Sequence, residues 1–461
     1  MRGWKRAAGL GVGLVVAALA GVYVFAIFVP PTLLRVGTGY SAKIICSSDY
    51  LSGRDPARVL DIDVQAPGNP LLKLVTFQAD RAVGRVRSEF LRLIAPQTAV
   101  RRPGLGCAVA PDGNVARAMD QSAPPAPGPS RSTAPWPAGE GVDLAGHAAL
   151  ERIVNDPNLA GPGMRAIVAV KDGRIVAERY APGFTAQTPL LGWSMTKTVT
   201  AALVGTVIEA GRLRLDQDHL LPQWAGDGRA KITLADLLSM SSGLRFNEDY
   251  GDVSDVTRML YLTPDMAAFA AGQPLAHPPG STFHYSTGTA VILSRIWQNA
   301  LGDRAAALAW PRKALFGPLG MDSAVLETDE AGTFVGGSYL YATARDWARF
   351  GQFLLQDGQW NGRQILSPAF VRMMHSPSAA DPVYGQGMVW LAGPKRSQHA
   401  GDDAAFGLPP DTYWMEGHDG QTVAVVPSAG LVVVRMGLTP GRLGYRPQRL
   451  VAAILKTLGP S

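Results

Sequence analysis

Cysteine is scarce in this chain. Only Cys46 and Cys107 occur among 461 residues, and neither has a histidine close by in sequence to suggest a metal site. Histidine is thin as well, with seven. Six of them, His147, His219, His277, His284, His375 and His399, form no His-x-x-x-His or His-Glu pattern of the kind a helical zinc site needs. No segment calls for a cofactor. Runs of like charge are also missing. The formal net charge is +6 and the pI is about 9.3, yet no run of five basic residues and no interleaved aromatic platform occurs. That sets nucleic acid aside as a partner. A basic surface facing anionic lipid is the other reading of the charge. No internal repeat is visible.

What is present is length, apolar content and a distinctive N-terminus. At 461 residues and 47% hydrophobic, the chain has material for two folded units and a sizeable core. Residues 7–29 carry no charge. As a helix they would extend about 35 Å, enough to span a bilayer core. Arg2, Lys5 and Arg6 precede them, which predicts a cytoplasmic N-terminus at 1–6 and an exported remainder. The apolar run is longer than a signal-peptide core and no small-x-small site follows it, which favours an uncleaved anchor over a cleaved signal. The expected location is a bacterial inner membrane, single-pass, with the body in the periplasm. Both cysteines then lie on the exported side, where a pair tends to be oxidised to a disulfide. Two buried free thiols are the competing reading.

Residues 30–118 read as a small β-rich module, from β-type runs within 71–78, 83–94 and 99–110. Residues 119–142 are rich in Pro, Ala, Gly and Ser, the composition of an extended linker. A larger unit, 143–461, follows. It opens with strand, turn and strand over 165–180 and continues into a helix- and loop-rich stretch. It ends with two apolar strands after Gly417 and a helical pattern at Leu450, Val451, Ile454 and Leu458. The expected class is α/β, an antiparallel sheet flanked by helices beside a helical lobe.

Three segments of the larger unit carry chemistry. Trp193-Ser194-Met195-Thr196-Lys197 places a serine and a lysine three apart at a helix start, on one face. A serine hydroxyl needs a neighbouring base to become a nucleophile, and a lysine whose pKa is lowered by burial can serve. Ser194 also lies near the positive end of the helix dipole. Next, Pro278-Pro279-Gly280-Ser281-Thr282-Phe283-His284-Tyr285-Ser286-Thr287-Gly288 sets a tyrosine in a turn before an apolar run. Last, Gly417-His418-Asp419-Gly420-Gln421 opens an extended run. In order and wide spacing these match the Ser-x-x-Lys, tyrosine and Lys-Thr-Gly elements of β-lactamases and penicillin-binding proteins. The competing readings are an N-cap serine with a solvated lysine, a core tyrosine, and a histidine that only orients a loop.

With these motifs the chain resembles the class C β-lactamase superfamily of serine hydrolases, nearest its 6-aminohexanoate-dimer hydrolase and esterase branch. Ile232-Thr233-Leu234-Ala235-Asp236-Leu237-Leu238-Ser239-Met240-Ser241-Ser242-Gly243-Leu244 and Gly336-Gly337-Ser338-Tyr339-Leu340-Tyr341-Ala342-Thr343-Ala344-Arg345-Asp346 add to the resemblance. It runs from about residue 143 to the C-terminus. It implies the β-lactamase/transpeptidase-like fold, with Ser194 as nucleophile and Lys197 and Tyr285 handling its proton. It also implies an oxyanion hole from the backbone N–H groups of Ser194 and Gln421, with His418 and Gly420 at the substrate. Two departures bear on substrate. Tyr285-Ser286-Thr287 stands where β-lactamases have Tyr-x-Asn, and His418-Asp419-Gly420 stands for Lys-Thr-Gly. An imidazole as a group is mostly uncharged at pH 7, and an aspartate follows it. An ester or amide without a carboxylate is therefore the expected substrate, ahead of an anionic β-lactam. A cell-wall D,D-peptidase and a non-catalytic binding protein of the same fold are the alternatives. The oligomeric state is left open.

Overall fold

The computed structural model describes residues 2–66, 68–130, 132–394 and 402–459, without the side chains of 2–11 and 402. His399 therefore lies outside the described residues. Elements are numbered in chain order as they appear below.

The chain opens with helix α1 (Arg2–Phe28) and turns at the Pro30-Pro31 pair into helix α2 (Thr32–Ser52). Four antiparallel strands follow in sequential order: β1 (Val75–Asp80), β2 (Arg85–Phe90), β3 (Ile94–Arg102) and β4 (Gly106–Val109). The module expected to be β-rich is thus a sheet with a long helix laid across it. The helix hid in the sequence because it has no polar face. From Val36 to Asp49 every residue but Gly37 and Tyr40 is buried, including Thr38, Ser41, Lys43 and Ser47. A helix enclosed on all sides loses the amphipathic period that announces one.

No single helix among the described residues is long and apolar enough to cross a membrane. Only the bent pair Val12–Phe28 and Thr32–Ser52, at 62°, passes by length and composition, and its second half is buried in the protein. The spanning helix expected at 7–29 gains no support from this. What is seen is a helix with exposed apolar side chains, among them Leu14, Phe25 and Phe28. Its Tyr23, Ala26 and Ile27 pack on Val75, Phe90 and Ile94 of the small sheet.

Beyond Asp143 come helix α3 (Ala148–Asn155), strands β5 (Met164–Lys171) and β6 (Arg174–Tyr180), and helices α4 (Thr196–Glu209), α5 (Thr287–Ala300) and α6 (Ala344–Leu355). Strands β7 (Tyr413–Gly417), β8 (Gln421–Val426) and β9 (Leu431–Gly437) and helix α7 (Pro447–Leu458) complete the body. The five strands form one antiparallel sheet in the order β7-β8-β9-β5-β6. Along its central strands the side chains alternate between two cores, as a pleated strand requires. Val168, Val170, Val423, Val425, Val432 and Val434 face the helical lobe. Ile167, Ala169, Ala424, Val426 and Val433 face α3 and α7. The chain has the expected α/β class and β-lactamase-like layering.

The N-terminal segment shares the first of these cores. Val36, Ile44, Ile45 and Cys46 of α2 belong to the same apolar cluster as Met195, Val199 and Tyr261. Cys46 and Cys107 are joined by a disulfide that ties α2 to β4. Lys43 Nζ is ion-paired with Glu327, which also accepts from Ser47 Oγ (2.8 Å) and Cys107 N–H (2.6 Å). The Pro/Ala-rich stretch is likewise fastened down. Arg349 donates to the carbonyls of Pro137 (3.0 Å) and Gly139 (2.7 Å), and Glu140 pairs with both Arg345 and Arg349.

Candidate active site

Ser194 sits in a single 3₁₀ turn, Trp193–Met195, that runs directly into α4. Trp193, just before it, has a φ of 49°, a left-handed conformation uncommon outside glycine and frequent at functional sites. One helical turn on, Lys197 is 1% exposed. Its ammonium donates to Ser194 Oγ (3.1 Å), Thr287 Oγ1 (3.0 Å) and the Gly337 carbonyl (2.9 Å). A solvated lysine is excluded. Burial lowers its pKa to about 8, against a smaller upward pull from Glu248. Gly337 has to be glycine here, because a Cβ would meet Thr287 Cγ2 at 2.7 Å. The Gly336-Gly337 pair lets this strand of backbone pass between α4 and α5.

Tyr285 reaches the same point from the turn before α5, whose N-cap Ser286 accepts from Thr289 N–H at 3.1 Å. Lys197 Nζ is 4.7 Å from the Tyr285 ring centre. Burial pushes the phenol well above its ordinary pKa, and a hydrogen bond with Ser194 acts in the opposite direction. Tyr285 stacks on Trp390 and meets Tyr384 edge-on.

The third residue of the tyrosine motif, Thr287, also reaches the lysine. It accepts from Lys197, and it is held in turn by Glu248. The Thr287 N–H donates to Glu248 Oε2 at 2.9 Å, and the Thr287 hydroxyl donates to Glu248 Oε1. The Tyr250 hydroxyl lies 3.2 Å from Thr287 Oγ1. Glu248 and Tyr250 were not singled out from the sequence. Their only signal was an acidic and an aromatic residue four and six positions after Leu244 of the Ser241-Ser242-Gly243-Leu244 segment.

The oxyanion assignment needs correction. Trp414 exchanges both backbone hydrogen bonds with Trp390, at 2.8 and 2.9 Å, on the outer side of β7. Antiparallel pairs alternate between bonded and non-bonded. With Trp414 facing outward, the Gly417–Gln421 pair is a bonded one facing inward. The Gln421 N–H is thus taken up by the Gly417 carbonyl within the sheet, and its side chain is bound to Gly437 of β9. The outward phase holds Glu416 and, one residue past the strand, His418, at the end of β7 beside the nucleophile turn. The strand end lies hard against that turn, since a Cβ on Gly417 would stand 2.3 Å from the Gly192 carbonyl. Gly420 does not reach the site either. It shapes the hairpin with a φ of 82°, and its carbonyl accepts from Arg435 at 2.9 Å. The His418 ring packs against Trp193 and Tyr250, with ring centres 5.5 Å apart in each case.

Among the described residues no three His, Cys, Asp or Glu side chains converge to hold a metal. His284 bonds the Phe246 carbonyl and His375 stacks on Tyr413.

A serine, a buried lysine of lowered pKa, a tyrosine of raised pKa and an outward strand-edge N–H form an acyl-transfer constellation. Comparison with known proteins agrees. A curated 6-aminohexanoate-dimer hydrolase of Paenarthrobacter ureafaciens is 22% identical over 277 residues, 54% of this chain and 69% of that protein. A penicillin-binding protein homologue of Caulobacter crescentus superposes with a TM-score of 0.52 at 19% identity, over 68% of this chain and 98% of that one. A family VIII carboxylesterase does so with a TM-score of 0.51 at 16% identity, over the same shares. The family model described as Beta-lactamase matches residues 155–455, and the chain belongs to that family.

Proposed function

We propose that this chain is a serine esterase or amidase working through an acyl-enzyme on Ser194. The observation that carries this is the buried Lys197 ammonium, 3.1 Å from Ser194 Oγ with its pKa lowered to about 8. The opposed shifts of Lys197 and Tyr285 assign the roles. Lys197, in its neutral fraction, takes the proton as Ser194 Oγ attacks the carbonyl. Tyr285, neutral at rest, relays a proton to the departing alcohol or amine. The N–H groups of Ser194 and His418 hold the oxyanion, each such donor being worth roughly 3 kcal/mol of barrier. The ester or amide bond breaks as the acyl–Ser194 bond forms. Water then attacks the acyl-enzyme, releasing a carboxylic acid and regenerating the serine.

Beside the Lys197 ammonium, Tyr285 feels the negative charges of Glu248 and Glu416. That favours substrates without a carboxylate. Esters and neutral linear amides, the latter in line with the 6-aminohexanoate-dimer hydrolase relative, come ahead of penicillins and cephalosporins. The exposed apolar helix α1 anchors the enzyme to a membrane. The body then lies on the exported, periplasmic side, an oxidising compartment suited to the Cys46–Cys107 bond. A panel of p-nitrophenyl esters, linear amides and a chromogenic cephalosporin, with fluorophosphonate labelling, tests the reading. Wild type should turn over neutral esters and be labelled on Ser194, and Ser194→Ala should do neither. A labelled residue other than Ser194, or a cephalosporin preferred to every ester, defeats it.

A further inference from the structure

We propose that the acyl group this enzyme accepts is a long apolar chain, held in a cavity that the N-terminal segment builds beside the nucleophile. The proposal rests on the acyl-enzyme reading above and names its substrate class.

The cavity has a volume of about 460 Å³, within the range of about 300–1,000 Å³ typical of small-molecule sites. One wall comes from the hydrolase body: Trp193, Tyr250 and His418. The His418 ring packs on the other two to make a collar, and Ser194, outside the lining itself, follows Trp193 in sequence. The opposite wall comes from the N-terminal segment: Leu33 and Val36 of α2, Leu72, Val75 of β1 and Phe90 of β2. All five lie outside the family-matched residues 155–455, so this wall is an addition to the shared fold. Asn69, Asp252, Asp419 and Arg442 supply polar groups to the lining.

The side of the reaction follows from Tyr285. The leaving group must face the proton donor. Tyr285 packs on Tyr384 and Trp390, and none of these three residues lines the cavity. The cavity is bounded instead by His418, to which the acyl-enzyme reading gives an oxyanion N–H. A carbonyl held there, with its leaving group toward Tyr285, sends its acyl group through the collar and along Leu33, Leu72 and Phe90. The apolar side chains of that wall suit methylenes.

The test uses the full chain and p-nitrophenyl acetate, butyrate and octanoate, each below its critical micelle concentration. Burying a methylene should raise kcat/KM about two- to fourfold, so octanoate should exceed acetate by at least about tenfold. Leu72→Trp, which fills the cavity, should cut the octanoate-to-acetate ratio by at least about fivefold. Leu33→Trp, at a more exposed position, should do the same should the first variant fold poorly. A flat or falling chain-length series, with acetate hydrolysed and Ser194 labelled, overturns the cavity assignment and leaves the acyl-enzyme reading standing. An unchanged ratio in both folded variants also overturns it. Absence of both labelling and turnover at every chain length overturns the hydrolase reading, and this proposal with it.

Discussion

Lys197 concentrates the chemistry in one side chain. Its three hydrogen-bond acceptors satisfy an ammonium fully, yet burial penalises that charge and brings the pKa to about 8. The neutral amine needed as base is then a minor but accessible form at pH 7. The sign follows directly. Catalysis needs the deprotonated lysine, so kcat/KM for a neutral ester should climb with pH and level off above an apparent pKa of about 8. A pH–rate profile checks this, with a flat profile between pH 6 and 9 counting against Lys197 as base. Glu248 opposes the burial, so Glu248→Gln should shift the rising limb to lower pH. It should also weaken the hold on Thr287. The same series reads both effects, as a displaced limb and a lower plateau. Ser194, Lys197 and Tyr285 were legible in the sequence because their spacing reflects local helix and turn geometry. Glu248 was not. It acts on Thr287 across 39 residues, and nothing in either segment names the other.

Strand β7 shows why the motif alone misplaced one donor. Gly417 through Gln421 marks a hairpin at the site, where the residues disclosed a motif and the start of an extended run. Which N–H faces outward depends on the phase of the ladder, and the Trp390–Trp414 bridge sets that phase from a distant segment. Four of the five sheet strands were readable from apolar runs, whereas β7 was not, and neither was α2, since burial on every side removed its period. The edge position yields a prediction at this scale. Gly417→Ala would force β7 away from the Gly192 carbonyl and carry the His418 N–H with it. Losing an oxyanion donor costs about 10²–10³ in kcat. The variant should therefore lose at least about tenfold in kcat while its unfolding midpoint stays close to wild type. Ester kinetics beside a denaturant titration would show it, and an unchanged kcat would remove His418 from the oxyanion hole.

Across the whole molecule, the N-terminal segment is built into the hydrolase core. Lys43 and Glu327 are 2% and 0% exposed, and burial holds the lysine below its ordinary pKa despite its partner. Breaking a buried pair from one side costs about 3–5 kcal/mol, whereas replacing both partners by apolar groups of similar size is often neutral. Glu327→Gln should therefore destabilise the protein by about that amount, and Lys43→Met with Glu327→Leu should recover most of it. Chemical denaturation of the two variants gives the comparison. The same pair has a consequence in time. Cys107 follows Cys46 by 61 residues, but Glu327 follows Lys43 by 284. At about 5–20 residues per second of synthesis, the disulfide partners emerge roughly 3–12 s apart, and the ion-pair partners roughly 15–60 s apart. For most of a minute, at the slower rate, α2 carries a charge and an apolar face whose counterparts do not yet exist. The four-stranded sheet and its covalent tie are complete long before then. They are the first shelter the helix has, and the enzyme body assembles around a piece already in place.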